Sequence, residues 1–362
     1  MKPTFRTILT AFREPEKAAG FSADEWLYLY RCCQRRGLGA KLANRLLKAL
    51  PEEALPPAMQ RQLPSSIQLA ENNRREMSAE MYYVARALRT LDTKVVYLKG
   101  AAYALQSLTA ADGRIFSDID ILVDEEYLEE AEALLQASGW ISMKPGDYDD
   151  AYYRQWMHEI PPLVHNRRGR VVDLHHTILP RTSRLQPVPA EMLRDAQSFK
   201  LAEQEVFCFA PADLLIHCAV HAFHDGDLEE RLRDVLDIHE LVTDFAEDAP
   251  FWDSLQRRAA LHDAKRPLFY ALHYARECFG TSVPSDMLQK GAPGRPNALV
   301  LMLMDWMVMR AIMPNVPEHV PLSARLARRV LYMRSHWLRM PPLMLGRHLA
   351  TKFLMSLGLM RQ

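Results

Sequence analysis

A short apolar run that contains two aspartates constrains this chain more than any other feature. Residues 116–123 read Phe-Ser-Asp-Ile-Asp-Ile-Leu-Val. Because successive side chains of a strand point to opposite faces, Asp118 and Asp120 would share one face while Ile119 and Ile121 point into a core. Two neighbouring carboxylates repel each other unless a cation lies between them, and oxygen ligands of this type suit Mg²⁺ or Mn²⁺. The run therefore predicts a strand whose polar face binds a metal ion.

Two further segments would bring phosphate-binding and acidic residues to such a strand. Upstream, the apolar residues 95–98 lead through Lys99 and Gly100 into a helix-forming stretch. A glycine at a strand-to-helix turn lets the backbone approach a ligand, and the first N–H groups of a helix can bind phosphate. Downstream, residues 169–176 predict a second strand in which Asp173 shares a face with His175. Asp173 is therefore a third candidate carboxylate.

These motifs, in this order, resemble the polymerase-β-type nucleotidyltransferase superfamily, and in particular its uncharacterised bacterial branch. The resemblance rests on Leu-Lys-Gly-Ala at 98–101, on Arg114 with Ser-Asp-Ile-Asp at 117–120, and on Val-Asp-Leu-His at 172–175. Many superfamily members carry Gly-Ser at the first motif, whereas here Ala101 follows the glycine. A phosphate-binding hydroxyl is therefore missing, and Lys99, the backbone or Arg114 would replace it.

The resemblance implies an α+β fold in which a small mixed β-sheet forms the nucleotidyltransferase core. It implies metal-dependent transfer of a nucleoside monophosphate, AMP from ATP in our expectation, to a hydroxyl or phosphate acceptor. The carboxylates implied to be catalytic and to hold Mg²⁺ or Mn²⁺ are Asp118, Asp120 and Asp173. The residues implied to contact the nucleotide are Lys99, Gly100, Arg114 and Ser117.

Three of the polar residues also have a purely structural interpretation. Without the resemblance, Asp173 is better explained as a strand acid paired with Arg170 or His175. Ser117 fits the end of a turn as well as it fits a phosphate contact. His175 is more often a packing histidine, or one that orients a ligand, than a direct participant.

The pattern of apolar residues divides the chain into three regions. Residues 1–92 predict helices at 23–35, 38–49 and 65–91, separated by prolines. In residues 93–207, segments with a strand pattern alternate with segments with a helix pattern, and this region is the predicted catalytic core. It includes a predicted hairpin at residues 167–169. Residues 208–362 predict a helical C-terminal domain that ends in a basic tail.

A histidine cluster in the C-terminal region favours a different enzyme class. His217, His221 and His224 fall on one helical face, and His224-Asp225 followed by Asp234 and Asp237 resembles HD-type metal-dependent phosphohydrolases. The His-Glu-x-x-His spacing is absent, however. If the chain is a nucleotidyltransferase, this helix lies beside the active site, and His221 and Asp234 become secondary contacts to the co-substrate. A catalytically inactive scaffold is a third hypothesis, against which the intact set of carboxylates argues.

Composition limits the expected partners and compartment. Charged residues make up 25% of the 362 residues and the formal net charge is zero, so no overall charge attracts nucleic acid. A small molecule or a protein is therefore the expected acceptor. Five cysteines without a metal-binding spacing predict a reducing cytoplasm. Neither a signal peptide nor a membrane span is expected.

The C-terminal tail has an unusual charge pattern. After Glu318 the sequence contains no acidic residue, while arginines alternate with Leu, Met, Val and Trp. Such a basic amphipathic segment can contact an anionic membrane peripherally, or it can form the last core helices with a basic solvent-facing side. Packing is the favoured interpretation, because Met-rich and Leu-rich faces usually mark cores.

Overall fold

Helices precede and follow a seven-stranded mixed sheet in the computed structural model of this chain. The structure describes residues 4–143, 153–225, 228–229, 231–248, 250–314, 320–341 and 346. This arrangement confirms the α+β fold, with a small mixed sheet between helical regions, that the sequence predicts.

The helices of the first region pack into a layer that leads to the sheet. Their bounds are α1 (Phe5–Arg13), α2 (Ala23–Arg35), α3 (Gly39–Ala49) and α4 (Pro57–Ala87). At the start of α2, Ser22 and Glu25 form a reciprocal cap in which each side chain accepts the other residue's backbone N–H. The predicted boundaries of α2 and α3 therefore agree with the structure to within a residue.

The long helix α4 begins eight residues before its predicted start at residue 65. Pro64 lies inside the helix, although a proline in a helix interior removes one hydrogen bond and costs about 3 kcal/mol. The buried side of the helix, which includes Met59, Leu63 and Ala70, continues across the proline and packs on α3. Burial of this continuous side offsets the lost bond.

The sheet combines parallel and antiparallel pairs. Its strands are β1 (Val96–Tyr97), β2 (Asp118–Leu122), β3 (Trp140–Ser142), β4 (Leu163–His165), β5 (Val171–His175), β6 (Gln197–Leu201) and β7 (Gln204–Cys208). Their spatial order is β3-β4-β5-β2-β1-β7-β6. Strand β2 pairs in parallel with β5 and antiparallel with β1, and β1 pairs in parallel with β7. The predicted hairpin at residues 167–169 joins β4 to β5 and is confirmed.

The apolar side of β2 anchors the strand in the core. Ile119 and Ile121 are fully buried. Helix α5 (Lys99–Leu105) packs on β2, and helix α6 (Leu128–Ala137) packs on β3 and β5. Tyr97 of β1 is also fully buried, and its hydroxyl donates to the carbonyl of Met81 at 2.7 Å. The opposite side of β2 is left to carry the polar residues.

The hairpin formed by β6 and β7 is absent from the sequence prediction. Its connection consists of Ala202 and Glu203, and Ala202 adopts a left-handed φ of +52°. The turn of a two-residue hairpin usually contains Asn-Gly or a similar pair that favours positive φ. Without those residues, the pattern gives no turn signal at this position.

Helices dominate the part of the C-terminal region that the structure describes. They are α7 (Pro189–Arg194), α8 (Pro211–Val220), α9 (Leu232–Phe245), α10 (Phe251–Leu261), α11 (Lys265–Phe279), α12 (Ala298–Ala311) and α13 (Leu322–Arg339). A π-helical turn, His221–Asp225, continues α8. No helix among the described residues is both long and apolar enough to cross a membrane.

Helix α13 lies in the described part of the basic tail, and its two sides differ in burial. One side buries Ala324, Ala327 and Leu331. The other exposes large apolar side chains, of which Leu322 and Met333 are the most accessible. The more distal arginines and the lysine of the tail, from residue 347 onward, lie outside the described residues. Peripheral membrane contact stays a prediction.

Candidate active site

Three aspartates meet on one face of the sheet because of the register between β2 and β5. Asp120 lies directly opposite Asp173, and Asp118 lies two residues earlier on the same face as Asp120. The neighbouring strands of a sheet are about 4.8 Å apart, so the carboxylates of this face lie close together. The structure therefore brings together the three predicted carboxylates from chain segments more than fifty residues apart.

Asp120 is the most strongly bound of the three. Its Oδ1 accepts from Lys99 Nζ at 2.6 Å and lies 3.1 Å from His175 Nε2, which in turn lies 3.3 Å from Glu159 Oε2. Burial alone would raise the pKa of Asp120, but the charges of Lys99 and His175 outweigh it and hold that pKa well below its usual range. Asp120 is therefore a permanent anion at the centre of the site.

The ionised form of Asp173 is less stabilised by its surroundings than that of Asp120. Burial raises the pKa of Asp173 to about 7, and the negative charges of Glu159 and Asp120 contribute to the increase. Its Oδ1 is buried and has no hydrogen-bond partner within the described parts of the chain. Arg170, which the sequence offered as a possible partner, pairs instead with Glu76. The positive charges of the site, on Lys99 and His175, therefore contact Asp120 rather than Asp173.

Asp118 and Ser117 stand at the open end of β2. The Ser117 hydroxyl donates to Asp118 Oδ1 at 2.7 Å. Just before them, the backbone N–H and carbonyl of Phe116 are both bound by the amide of Asn73 on α4, at 2.7 and 3.1 Å. This two-point contact fixes the entry of the chain into β2, so a residue of the long helix positions the start of the aspartate strand.

Gly100 makes room for side chains rather than for a ligand in this conformation. A Cβ at this position would lie 2.8 Å from Arg114 Nε and 3.0 Å from the ring of Phe116. The preceding Lys99 adopts a left-handed φ of +45°, which is uncommon outside glycine. The helix that follows, α5, has only seven residues.

Arg114 lies in a buried group of charges. It is 9% exposed and forms an ion pair with Asp237, while its guanidinium also packs over the ring of Tyr103. Lys41 lies 3.8 Å from the same aspartate and donates to Glu240 at 2.5 Å. In this conformation the guanidinium binds a helix of the C-terminal region, and its predicted contact with phosphate stays a prediction.

The three histidines of the C-terminal cluster bind to different partners. His224 Nε2 lies 2.9 Å from Ser183 Oγ, and His221 Nε2 lies 3.1 Å from Arg231, which also binds Asp234. His217 packs edge-on against an aromatic ring, and burial together with Lys99 lowers its pKa to about 3. The described side chains of this cluster share no metal-binding geometry, and the side chain of Asp225 lies outside the described residues.

His221 nevertheless belongs to the surroundings of the aspartates. Burial lowers its pKa well below the usual range, and Lys99 is the next largest cause, ahead of Arg231. Asp234 is kept ionised by Arg231 and Arg233, which outweigh the effect of its burial on the pKa. His221 therefore lies within electrostatic reach of Lys99, and Asp234 is linked to His221 through Arg231, while the predicted contacts of both residues with the co-substrate stay a prediction.

Two residues of the site, His158 and Glu159, were not predicted from the sequence. His158 and Glu159 precede β4, and a backbone bridge between Glu159 and His175 holds them against the end of β5. The ring of His158 lies 5.2 Å from that of His175. A His-Glu pair just before an apolar strand was the available signal, but no spacing to other polar residues marked it.

Comparison with known proteins gives a family for most of the chain. Residues 22–280 match the family described as "Uncharacterised nucleotidyltransferase", a match that confirms the family resemblance drawn from the sequence. No curated protein matches the chain. Among solved structures, the chain is similar to an antigenic nucleotidyltransferase-like protein from Paracoccidioides brasiliensis, with 16% identity and a TM-score of 0.32 over 56% of this chain and 93% of that one.

Proposed function

The chain belongs to the uncharacterised nucleotidyltransferase family, and on that premise we propose that it transfers AMP from ATP to a hydroxyl or phosphate group in a reaction that requires Mg²⁺ or Mn²⁺. The observation that carries the proposal is the register of β2 and β5, which places Asp118, Asp120 and Asp173 on one face.

The aspartate face fits a divalent cation. Among the described residues the buried Oδ1 of Asp173 has no hydrogen-bond partner, and burial with the charges of Glu159 and Asp120 raises the pKa of this carboxyl group, so a cation bound there would stabilise its ionised form. Carboxylate oxygens are the ligands that Mg²⁺ and Mn²⁺ prefer, so Asp118, Asp120 and Asp173 would hold the cation. When bound, such a cation orients the phosphates and neutralises the charge that develops during transfer.

The neighbouring residues of the chain would bind and orient the substrate. Lys99 is a fixed cation, because Asp120 outweighs the effect of burial and raises the lysine pKa. Its side chain is 22% exposed, so its ammonium group can contact a triphosphate that reaches Asp120. Ser117 orients the carboxylate of Asp118, and His175 orients that of Asp120. His221 and Asp234 would contact the base or the acceptor from the opposite side.

A small molecule or a protein is the proposed acceptor. The formal net charge is zero, and charge attraction is the main source of affinity for nucleic acid. The five cysteines are buried and form no disulfide, which supports a reducing compartment such as the cytoplasm.

Nucleotide binding tests the proposal directly. We would titrate the purified chain with ATP, GTP, CTP and UTP by calorimetry, with and without Mg²⁺, and repeat the titrations with the Asp118→Asn/Asp120→Asn variant. Glu126→Gln, which removes one exposed carboxylate after β2, is the matched control. We expect metal-dependent ATP binding that the control retains and the double variant loses.

Two results would contradict the proposal. The first is the absence of any nucleotide binding by the wild-type chain, which would favour a scaffold. The second is equal binding by the wild type and the double variant, which would move the nucleotide site away from the aspartates. Retained folding of the double variant is checked by circular dichroism.

A further inference from the structure

Three potential metal ligands converge beside the aspartates. His158 and Glu159 come from the segment before β4, and His175 comes from the end of β5. Backbone hydrogen bonds fix the two segments together: His176 N–H donates to the carbonyl of His158 and Ile160 N–H to that of Leu174, both at 3.0 Å. The backbone itself therefore holds these side chains near one another.

The distances between the donor atoms are close to those around a single ion. Glu159 Oε2 lies 3.3 Å from His175 Nε2 and 3.8 Å from His158 Nε2, and the ligand atoms of the three residues all lie within 4.8 Å of one another. Zinc bonds of about 2.0–2.2 Å in a tetrahedral site would separate neighbouring ligand atoms by roughly 3.4 Å. Only small side-chain movements would be needed to close the site.

The ring of His175 lies between two carboxylates. The Nε2 of His175 can carry one proton, yet two carboxylate oxygens approach it, one from Asp120 at 3.1 Å and one from Glu159 at 3.3 Å. Lys99 is bound by Asp120. His175 is 1% exposed and His158 is 8% exposed, so water reaches these rings poorly. A cation bound by the histidines and Glu159 would reduce the repulsion between the carboxylates that face His175.

The ligand set indicates the class of ion. Two imidazole nitrogens and one carboxylate suit Zn²⁺ and other borderline transition metals, whereas Mg²⁺ prefers oxygen ligands alone. We propose that His158, Glu159 and His175 form a binding site for a borderline divalent cation, with Zn²⁺ as the best fit, that adjoins Asp120 through His175 and uses none of the three aspartates as a ligand. The site does not depend on nucleotidyl transfer.

Zinc binding without nucleotide tests this site apart from the proposed function. The full chain, freed of metal with a chelator, is titrated with Zn²⁺ by calorimetry, and bound zinc is measured by mass spectrometry after gel filtration. We expect one ion per chain, with binding at least about tenfold weaker in Glu159→Gln and in His158→Gln. The control His176→Gln alters a neighbouring histidine that contacts the Met157 carbonyl instead, and it should bind zinc as the wild type does.

Other outcomes overturn the proposal. The absence of stoichiometric zinc binding, or undiminished binding in both ligand variants, would mean that the three residues only hydrogen-bond around Asp120. Zinc binding that Asp118→Asn abolishes and Glu159→Gln retains would assign the ion to the aspartates. If a ligand variant fails to fold, X-ray absorption at the zinc edge of the wild-type complex still decides, because it should detect two imidazole ligands, and their absence refutes the site.

Discussion

Replacement of Asp173 by asparagine is predicted to stabilise the metal-free protein at neutral and alkaline pH. In the folded chain, burial and the neighbouring carboxylates of Glu159 and Asp120 raise the pKa of Asp173 from 3.8 to about 7. Asparagine has the same shape and no charge, so Asp173→Asn removes the cost of ionising this carboxyl group. A residue proposed to be catalytic would thus reduce stability in the wild type.

The sign and size of the effect follow from proton linkage. Between pH 3.8 and about 7 the folded chain binds a proton at Asp173 that the unfolded chain has released, so the free energy of unfolding falls as pH rises through this range. At about 1.4 kcal/mol per pH unit, this interval gives an upper limit of about 4 kcal/mol. Partial exposure of the side chain to solvent reduces the expected value to about 2 kcal/mol.

Urea unfolding with a chelator present measures this difference at about pH 5 and about pH 8. The stability of Asp173→Asn relative to wild type should increase by about 1.2 kcal/mol between the two conditions, which span roughly 60% of the full effect, while the control Glu126→Gln should show no such increase. Added Mg²⁺ should stabilise the wild type more than the variant. A difference between wild type and Asp173→Asn that is independent of pH would refute the reasoning.

Two further predictions concern the packing around Arg114. Asp237→Ala leaves this guanidinium buried without its carboxylate partner and should lower the free energy of unfolding in urea by about 3–5 kcal/mol. Glu76→Gln breaks a more exposed ion pair and should lower it by less than about 1 kcal/mol. Equal losses of stability in the two variants would refute this prediction. Gly100→Ala places a Cβ 2.8 Å from Arg114 Nε and should destabilise by about 1–2 kcal/mol, and an unchanged urea midpoint would contradict it. Gly20→Ala, which has open space around it, is the control.

The aspartate face was predictable because local pattern determines it. Alternation in β2 and β5 assigns Asp118, Asp120 and Asp173 to the polar side of each strand. The strand order is not encoded locally, and the resemblance to a known family supplied the expectation that the two strands meet. The structure then added the register, which sets Asp120 directly opposite Asp173.

Other features depend on contacts that the sequence pattern does not reveal. The turn at Ala202 carries no residue that favours positive φ, and Pro64 lies in a helix because the buried side of α4 continues past it. The partner of Arg114 is Asp237, which lies more than a hundred residues later in the chain. A backbone bridge brings His158 and Glu159 to the site, and no spacing of residue types in the sequence predicts that bridge.

The pairings of β2 with β5 and of β1 with β7 determine when the sheet around the site can form during synthesis. Val96 pairs with Phe207, so the centre of the sheet closes only after more than a hundred further residues have left the ribosome. Pairings between such distant segments form slowly, because the entropy of closing a long loop is lost before the contact is gained. Until Asp173 emerges, the two-residue strand β1 is the only described strand of the sheet synthesised before β2 that can pair with it, and the edge of β2 that later pairs with β5 stays open. We therefore expect a stage during synthesis at which this open edge can pair with other chains.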